Sequence, residues 1–150
     1  MAFFAQLLAI WTLLWIISKI TGKKQLQSHR FKARLAFATS FVLVGWTHLL
    51  FPEKLVYMVV GILPYASLLV LVSGVLEIAL GILLLVPQYQ RLAAWGIIIL
   101  LLFMFPANVN VAVNHLSAPG GLPSAPWYVW SRLFFQPLYI AWVWWAALRR

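Results

Sequence analysis

YASLLVLVSGVLEIALGILLLV, residues 65–86, decides the class of fold. Across this stretch Glu77 is the one charged residue. As a helix it is about 33 Å long, against a hydrocarbon core of about 30 Å, so it reads as a transmembrane helix. Ser73, Gly74 and Gly81 lie three or four residues from Glu77 and share its face. Small residues let a second backbone come close. A carboxylate facing lipid at that depth, about 18 Å from Tyr65, costs roughly 3 kcal/mol or more. Glu77 is therefore expected to face the interior of a helical bundle.

Working outward, four more apolar stretches occupy residues 2–18, 35–51, 92–113 and 127–148. Of the 150 residues, 65% are hydrophobic, whereas soluble domains run nearer half. Lipid must be the solvent for much of this surface. The expected fold is an all-α membrane protein of about five spans, one domain by length. It divides into an N-terminal transmembrane helix (1–20), a basic cytoplasmic loop (21–34) and a four-helix membrane domain (35–150). The first stretch has no basic residue before it and no small-x-small site after it, so it reads as a retained helix.

Eleven Lys and Arg stand against two acids, Glu53 and Glu77. The basic residues sit between apolar spans, which argues for membrane topology and against nucleic acid. Lys19, Lys23, Lys24, Arg30, Lys32 and Arg34 place segment 19–34 in the cytoplasm. Alternation then puts the N-terminus outside and the C-terminus inside, with Arg91, Arg149 and Arg150 on the inner side. The expected location is the inner (plasma) membrane, multi-pass, with the basic loop along anionic headgroups. Trp127 and Trp130 fit the outer interface, and Trp95, Trp142, Trp144 and Trp145 the inner one. With no cysteine, disulfides and thiolate chemistry are excluded. Residues 118–126 (APGGLPSAP) read as an irregular outer loop.

Polar residues inside the spans carry the functional information. Arg132 and Gln136, four apart on one helix face, enter from the outer side at about 7 and 13 Å depth. Arg132 is the expected partner of Glu77, with Gln136 between them, because a guanidinium matches a carboxylate fork. Pro106 leaves the carbonyl of Leu102 without its helical donor, next to Asn108. His48 reaches the same outer half. His48, Glu77, Asn108, Arg132 and Gln136 are the candidate pocket, with Glu53, Ser73, Asn114 and His115 behind them. For Asn114 and His115 the plainer reading is capping at the outer surface. A structural ion pair that fixes helix register is the plainer reading of Glu77. No spacing places two metal ligands on one helical face, so no metal is expected.

The ordered set Gly45-Trp46-Thr47-His48, Phe51-Pro52-Glu53, Leu63-Pro64, Ser73-Gly74 with Glu77 and Gly81, Pro87 and Arg91, Phe105-Pro106-Ala107-Asn108, and Arg132-Leu133 with Gln136 resembles the DoxX family of small bacterial membrane proteins. The resemblance covers about residues 34–148. It implies a DoxX-like four-helix bundle, to which the first helix is an N-terminal addition. Asn110 departs from the pattern, which has an apolar or aromatic residue there. The family takes its name from a membrane subunit of a thiosulfate:quinone oxidoreductase. Other relatives are tied to membrane oxidoreductase complexes or to tolerance of redox-active compounds.

Two functions follow as expectations. The first is a membrane subunit of an oxidoreductase system that binds a quinone or small redox substrate. His48, Asn108 and Gln136 would hydrogen-bond its carbonyls, while Glu77 and Arg132 handle protons. The chain shows no redox centre, so the electrons come from a redox partner protein or a bound cofactor. Whether the chain is itself catalytic, and whether it is a homo-oligomer, are left open. The alternative is a non-catalytic assembly or stabilising protein whose buried polar network is structural. A solute pathway ranks last, because residues 82–86 and 97–104 continue no polar path.

Overall fold

The computed structural model describes residues 2–117 and 125–149, including every side chain in them except Lys24 and Gln25. The outer loop expected at 118–126 lies for the most part outside these residues. All regular elements among the described residues are helical. In order they are α1 (Ala2–Thr21), a 3-10 turn (Lys24–Gln27), α2 (His29–Leu50), α3 (Glu53–Val56), α4 (Ala66–Leu83), α5 (Gln90–Val113), α6 (Pro126–Val143) and a π turn (Trp144–Leu148).

Local chemistry sets the boundaries. Ser28 caps α2, its hydroxyl accepting from Phe31 N at 3.3 Å. Pro126 opens α6 from its first turn, where a missing N–H costs nothing. Tyr65, at φ 57°, turns the chain into α4. α1, α2, α4 and α5 are long and apolar enough to cross a membrane, a pattern compatible with a multi-pass membrane protein. α6 holds Arg132, Gln136 and Pro137 and falls outside that set. The exterior is apolar, as lipid requires: Leu68, Phe103 and Phe134 are among many large side chains left exposed.

One expectation changes here. The basic segment 21–34 is mostly not a loop. α2 starts at His29, so Arg30, Lys32 and Arg34 stand on helix, and only a short linker joins α1 to α2. Their charge suppressed the helical reading of a segment whose apolar pattern already continues through Phe31, Ala33 and Leu35. Trp142 also differs from a purely interfacial role. Its indole N–H donates to the carbonyl of Ala33 at 3.1 Å, inside the bundle.

The close contact of the fold is α2 against α4. A Cβ on Gly45 would stand 2.7 Å from the carbonyl oxygen of Gly74, and one on Gly74 would stand 2.9 Å from that of Gly45. Only two glycines permit this approach. α1 lies outside the other helices and packs Phe3 and Phe4 against Phe37, Phe135 and Tyr139. Two apolar cores result. The larger, at the basic end, gathers Leu7, Phe37, Phe41, Leu84, Ile97 and Val143. The smaller, at the opposite end, gathers Met58, Val111, Ala112, Tyr128 and Val129.

Candidate functional site

A cavity of about 680 Å³ is lined by residues of α1, α2, α4, α5 and α6 together with the segment after α2. His48, Glu77, Asn108, Arg132 and Gln136 all line it, and Ser73 does as well. Four separate helices thus bring their polar side chains to one space.

Those side chains form two groups. On one wall, His48 Nδ1 stands 2.9 Å from Glu77 Oε2, with Ser73 Oγ 3.4 Å from the same nitrogen. The pair is at ion-pair distance but lacks hydrogen-bond alignment, since Oε2 has no hydrogen-bond partner among the described residues. Both side chains are buried, Glu77 at 1% exposure. On the other wall, Arg132 Nη2 donates to Asn108 Oδ1 at 2.8 Å, and Asn108 Nδ2 donates to Gln136 Oε1 at 3.2 Å. Gln136 Nε2 in turn donates to the carbonyl of Leu101. Arg132 Nη1 is buried and has no partner among the described residues.

The expected Glu77–Arg132 pair is therefore corrected. Glu77 pairs with His48, and Arg132 with Asn108. The cause is the Gly45–Gly74 contact, which lays α2 along the small face of α4 and sets His48, three residues past Gly45, beside Glu77. Arg132 meets Asn108 instead of reaching deeper. Gln136 does not bridge to Glu77. It serves the α5 backbone at Leu101, one residue from the carbonyl expected to be left free by Pro106.

Of the remaining candidates, Glu53, Asn114 and His115 do not line the cavity. Glu53 is exposed at the start of α3. Asn114 closes α5, its backbone N–H donating to the carbonyl of Asn110. His115 follows in the left-handed region, at φ 51°, and is exposed. It does not share a face with Asn108, because α5 has ended before it.

Sequence reasoning missed Asn110 and the aromatic rim. Asn110 Nδ2 donates to the carbonyl of Met58 at 2.9 Å and ties the segment after α2 to α5. Tyr57 adds a second tie, its hydroxyl donating to the carbonyl of Ser117 at 2.5 Å. Burial raises the Tyr57 phenol above its ordinary pKa, partly offset by the positive field of Arg132, so it stays a donor at neutral pH. Tyr128 and Tyr139 also line the cavity. Tyr128, Arg132, Gln136 and Tyr139 recur at steps of four, four and three, a helical face that was readable in the sequence. Among the described residues, no group of three or more His, Asp and Glu could hold a metal ion.

A family model described as a domain of unknown function, DUF8561, matches residues 37–147. The chain belongs to the DUF8561 family. The match runs from within α2 into the π turn, so all five pocket residues of this DUF8561 member lie inside it, and α1 lies outside. No curated protein and no solved structure matches the chain.

Proposed function

We propose that this protein is a DoxX-like membrane subunit of an oxidoreductase system, and that its cavity binds a quinone-type redox substrate. One observation carries the reading. Arg132 and Glu77 both line one cavity; Arg132 Nη1 is buried with no hydrogen-bond partner among the described residues, and Glu77 Oε2 has there only the unaligned contact with His48 Nδ1 at 2.9 Å. Buried polar groups left so are rare, and each needs an explanation. A ring with an oxygen at each end answers both. One oxygen accepts from Arg132. The other, once protonated, donates to Glu77, with His48 beside it.

The geometry favours this over a purely structural network. A structural network closes on itself, as the Asn108–Gln136–Leu101 chain does. Arg132 instead has one arm of its guanidinium without a partner among the described residues, while the other is fixed by Asn108. Reduction of a quinone takes two electrons and two protons. This chain supplies the binding groups and a place for protons at His48 and Glu77. A partner protein carrying the electron donor supplies the electrons.

The topology belongs to the same proposal. Arg30 Nη1 donates to the carbonyl of Arg149 at 2.8 Å, and Gln90 Nε2 to that of Ala147 at 2.9 Å. The end of α6 thus lies with the starts of α2 and α5, which supports α6 as a fifth full span. The positive charges then put this end in the cytoplasm and the cavity in the outer half of the plasma membrane.

The test is mass spectrometry of the protein purified in native lipid discs, beside Glu77→Gln. We expect a quinone or a redox enzyme with the wild type and its loss in an equally well-folded variant. Recovery of bulk lipid alone in both would overturn the reading and return the polar set to a structural, assembly-type role.

A further inference from the structure

The cavity is bounded by residues of two opposite kinds. Glu77, His48 and Gln136 are almost wholly buried, but Leu69, Val72, Leu76 and Phe103 are 39%, 45%, 42% and 76% exposed. A space that touches both runs from the polar set to the outer surface of the bundle, and that surface is the one lipid covers. The three exposed α4 residues fall at i, i+3 and i+7, so they form one strip along the helix. Facing them on α5 stand Leu100, Phe103 and Met104, also at helical spacing.

α4 and α5 touch at the basic end, where a Cβ on Gly96 would meet Leu80 Cδ2 at 2.7 Å. Towards the other end the cavity lies between them. That end is only partly roofed, since the exposed Phe51, Ile62 and Leu63 also belong to the lining. The segment after α2 contributes Leu55, Met58 and Val59 to the lining, and it is fastened to α5 by Asn110 and to Ser117 by Tyr57.

We infer that the cavity loads sideways from the bilayer, and that its substrate carries an apolar tail which leaves between Val72 of α4 and Phe103 of α5. The inference rests on the quinone-type reading of the polar head site. It selects a lipid-borne substrate over a water-borne one. The head lies against Nη1 of Arg132 and the His48–Glu77 pair, and the tail lies in the apolar strip. An apolar chain there gains contact along each methylene, which a small hydrophilic substrate does not.

Two benzoquinones test this in nanodiscs, one with a decyl tail and one without. The comparison is the ratio of their affinities, measured in the same discs so that partition into lipid cancels. Val72→Trp fills the strip. Val75→Trp, also on α4 and 55% exposed but outside the cavity, is the control. We expect the tailed-to-tailless ratio to fall about tenfold in Val72→Trp, the equivalent of losing about two buried methylenes, and to stay unchanged in Val75→Trp. An unchanged ratio in Val72→Trp, or an equal fall in the control, overturns sideways loading.

If neither ring binds the wild type, it is the quinone reading that fails. The route is then decided by the molecules that co-purify from native membranes. A tailed species held by the wild type and Val75→Trp, but not by Val72→Trp, sustains the route. Equal retention by all three overturns it.

Discussion

Of the two carboxylates in the chain, Glu53 is exposed near one end of the bundle and Glu77 is buried in its interior. The whole acidic chemistry of the cavity therefore depends on one residue and on what stands beside it. His48 does, at 2.9 Å. In so enclosed a place the contact is worth more than at a surface, and leaving either group alone is costly. We expect His48→Ala and Glu77→Gln to be non-additive, with a coupling of about 1–3 kcal/mol in a double-mutant cycle. Reversible denaturation in mixed micelles measures it. Additive losses would mean that the two side chains are merely neighbours. That Glu77 faces inward was legible from Ser73, Gly74 and Gly81. Its partner was not. Spacing identifies neighbours on one helix and is silent about which helix packs on which, so the guanidinium of Arg132 looked the better match.

At the scale of elements, the crossing of α2 and α4 holds the site together. A methyl group on Gly74 would stand 2.8 Å from His48 Cβ and 2.9 Å from the carbonyl oxygen of Gly45. Neither neighbour is a flexible side-chain tip, so the helices must separate. Gly74→Ala is expected to cost about 1–3 kcal/mol, the usual range for overpacking, and to draw His48 away from Glu77. Gly96→Ala is the comparison, because its new methyl meets the movable end of Leu80. Thermal melting in detergent should therefore place Gly74→Ala below Gly96→Ala. The reverse order would contradict the close-contact account. Small residues on α4 announced such a crossing, but the extent of α2 was hidden. Arg30, Lys32 and Arg34 looked like loop, although a long basic side chain can lie along a helix and keep its charge near the headgroups.

For the molecule as a whole, charge and contact point the same way. Lys19, Lys23, Arg30, Arg34, Arg91 and Arg149 stand near the ends of α1, α2, α5 and α6, and Arg30 touches the backbone of Arg149 directly. The apolar spans were legible because lipid demands about 20 apolar residues from each of them. α6 strains that rule with Arg132, Gln136 and Pro137, so its crossing has to be argued from where its end lies. The absence of native cysteine makes that testable. Single cysteines at Gln27, Ser117 and Arg149, all exposed positions, can be treated with a membrane-impermeant maleimide. Three helices long enough to span, α2, α4 and α5, separate Gln27 from Ser117, and α6 brings the chain back to Arg149. In intact cells only Ser117→Cys should label, and after permeabilisation all three should. Labelling of Arg149→Cys together with Ser117→Cys would make α6 re-entrant and leave Arg132 and Gln136 on a helix that turns back. Labelling of Gln27→Cys and Arg149→Cys without Ser117→Cys would invert the bundle and move the cavity to the cytoplasmic half. The polar set would survive that inversion unchanged, but on the proposed reading its protons would then be exchanged with the cytoplasm, and the proposed redox partner would have to be sought on that side.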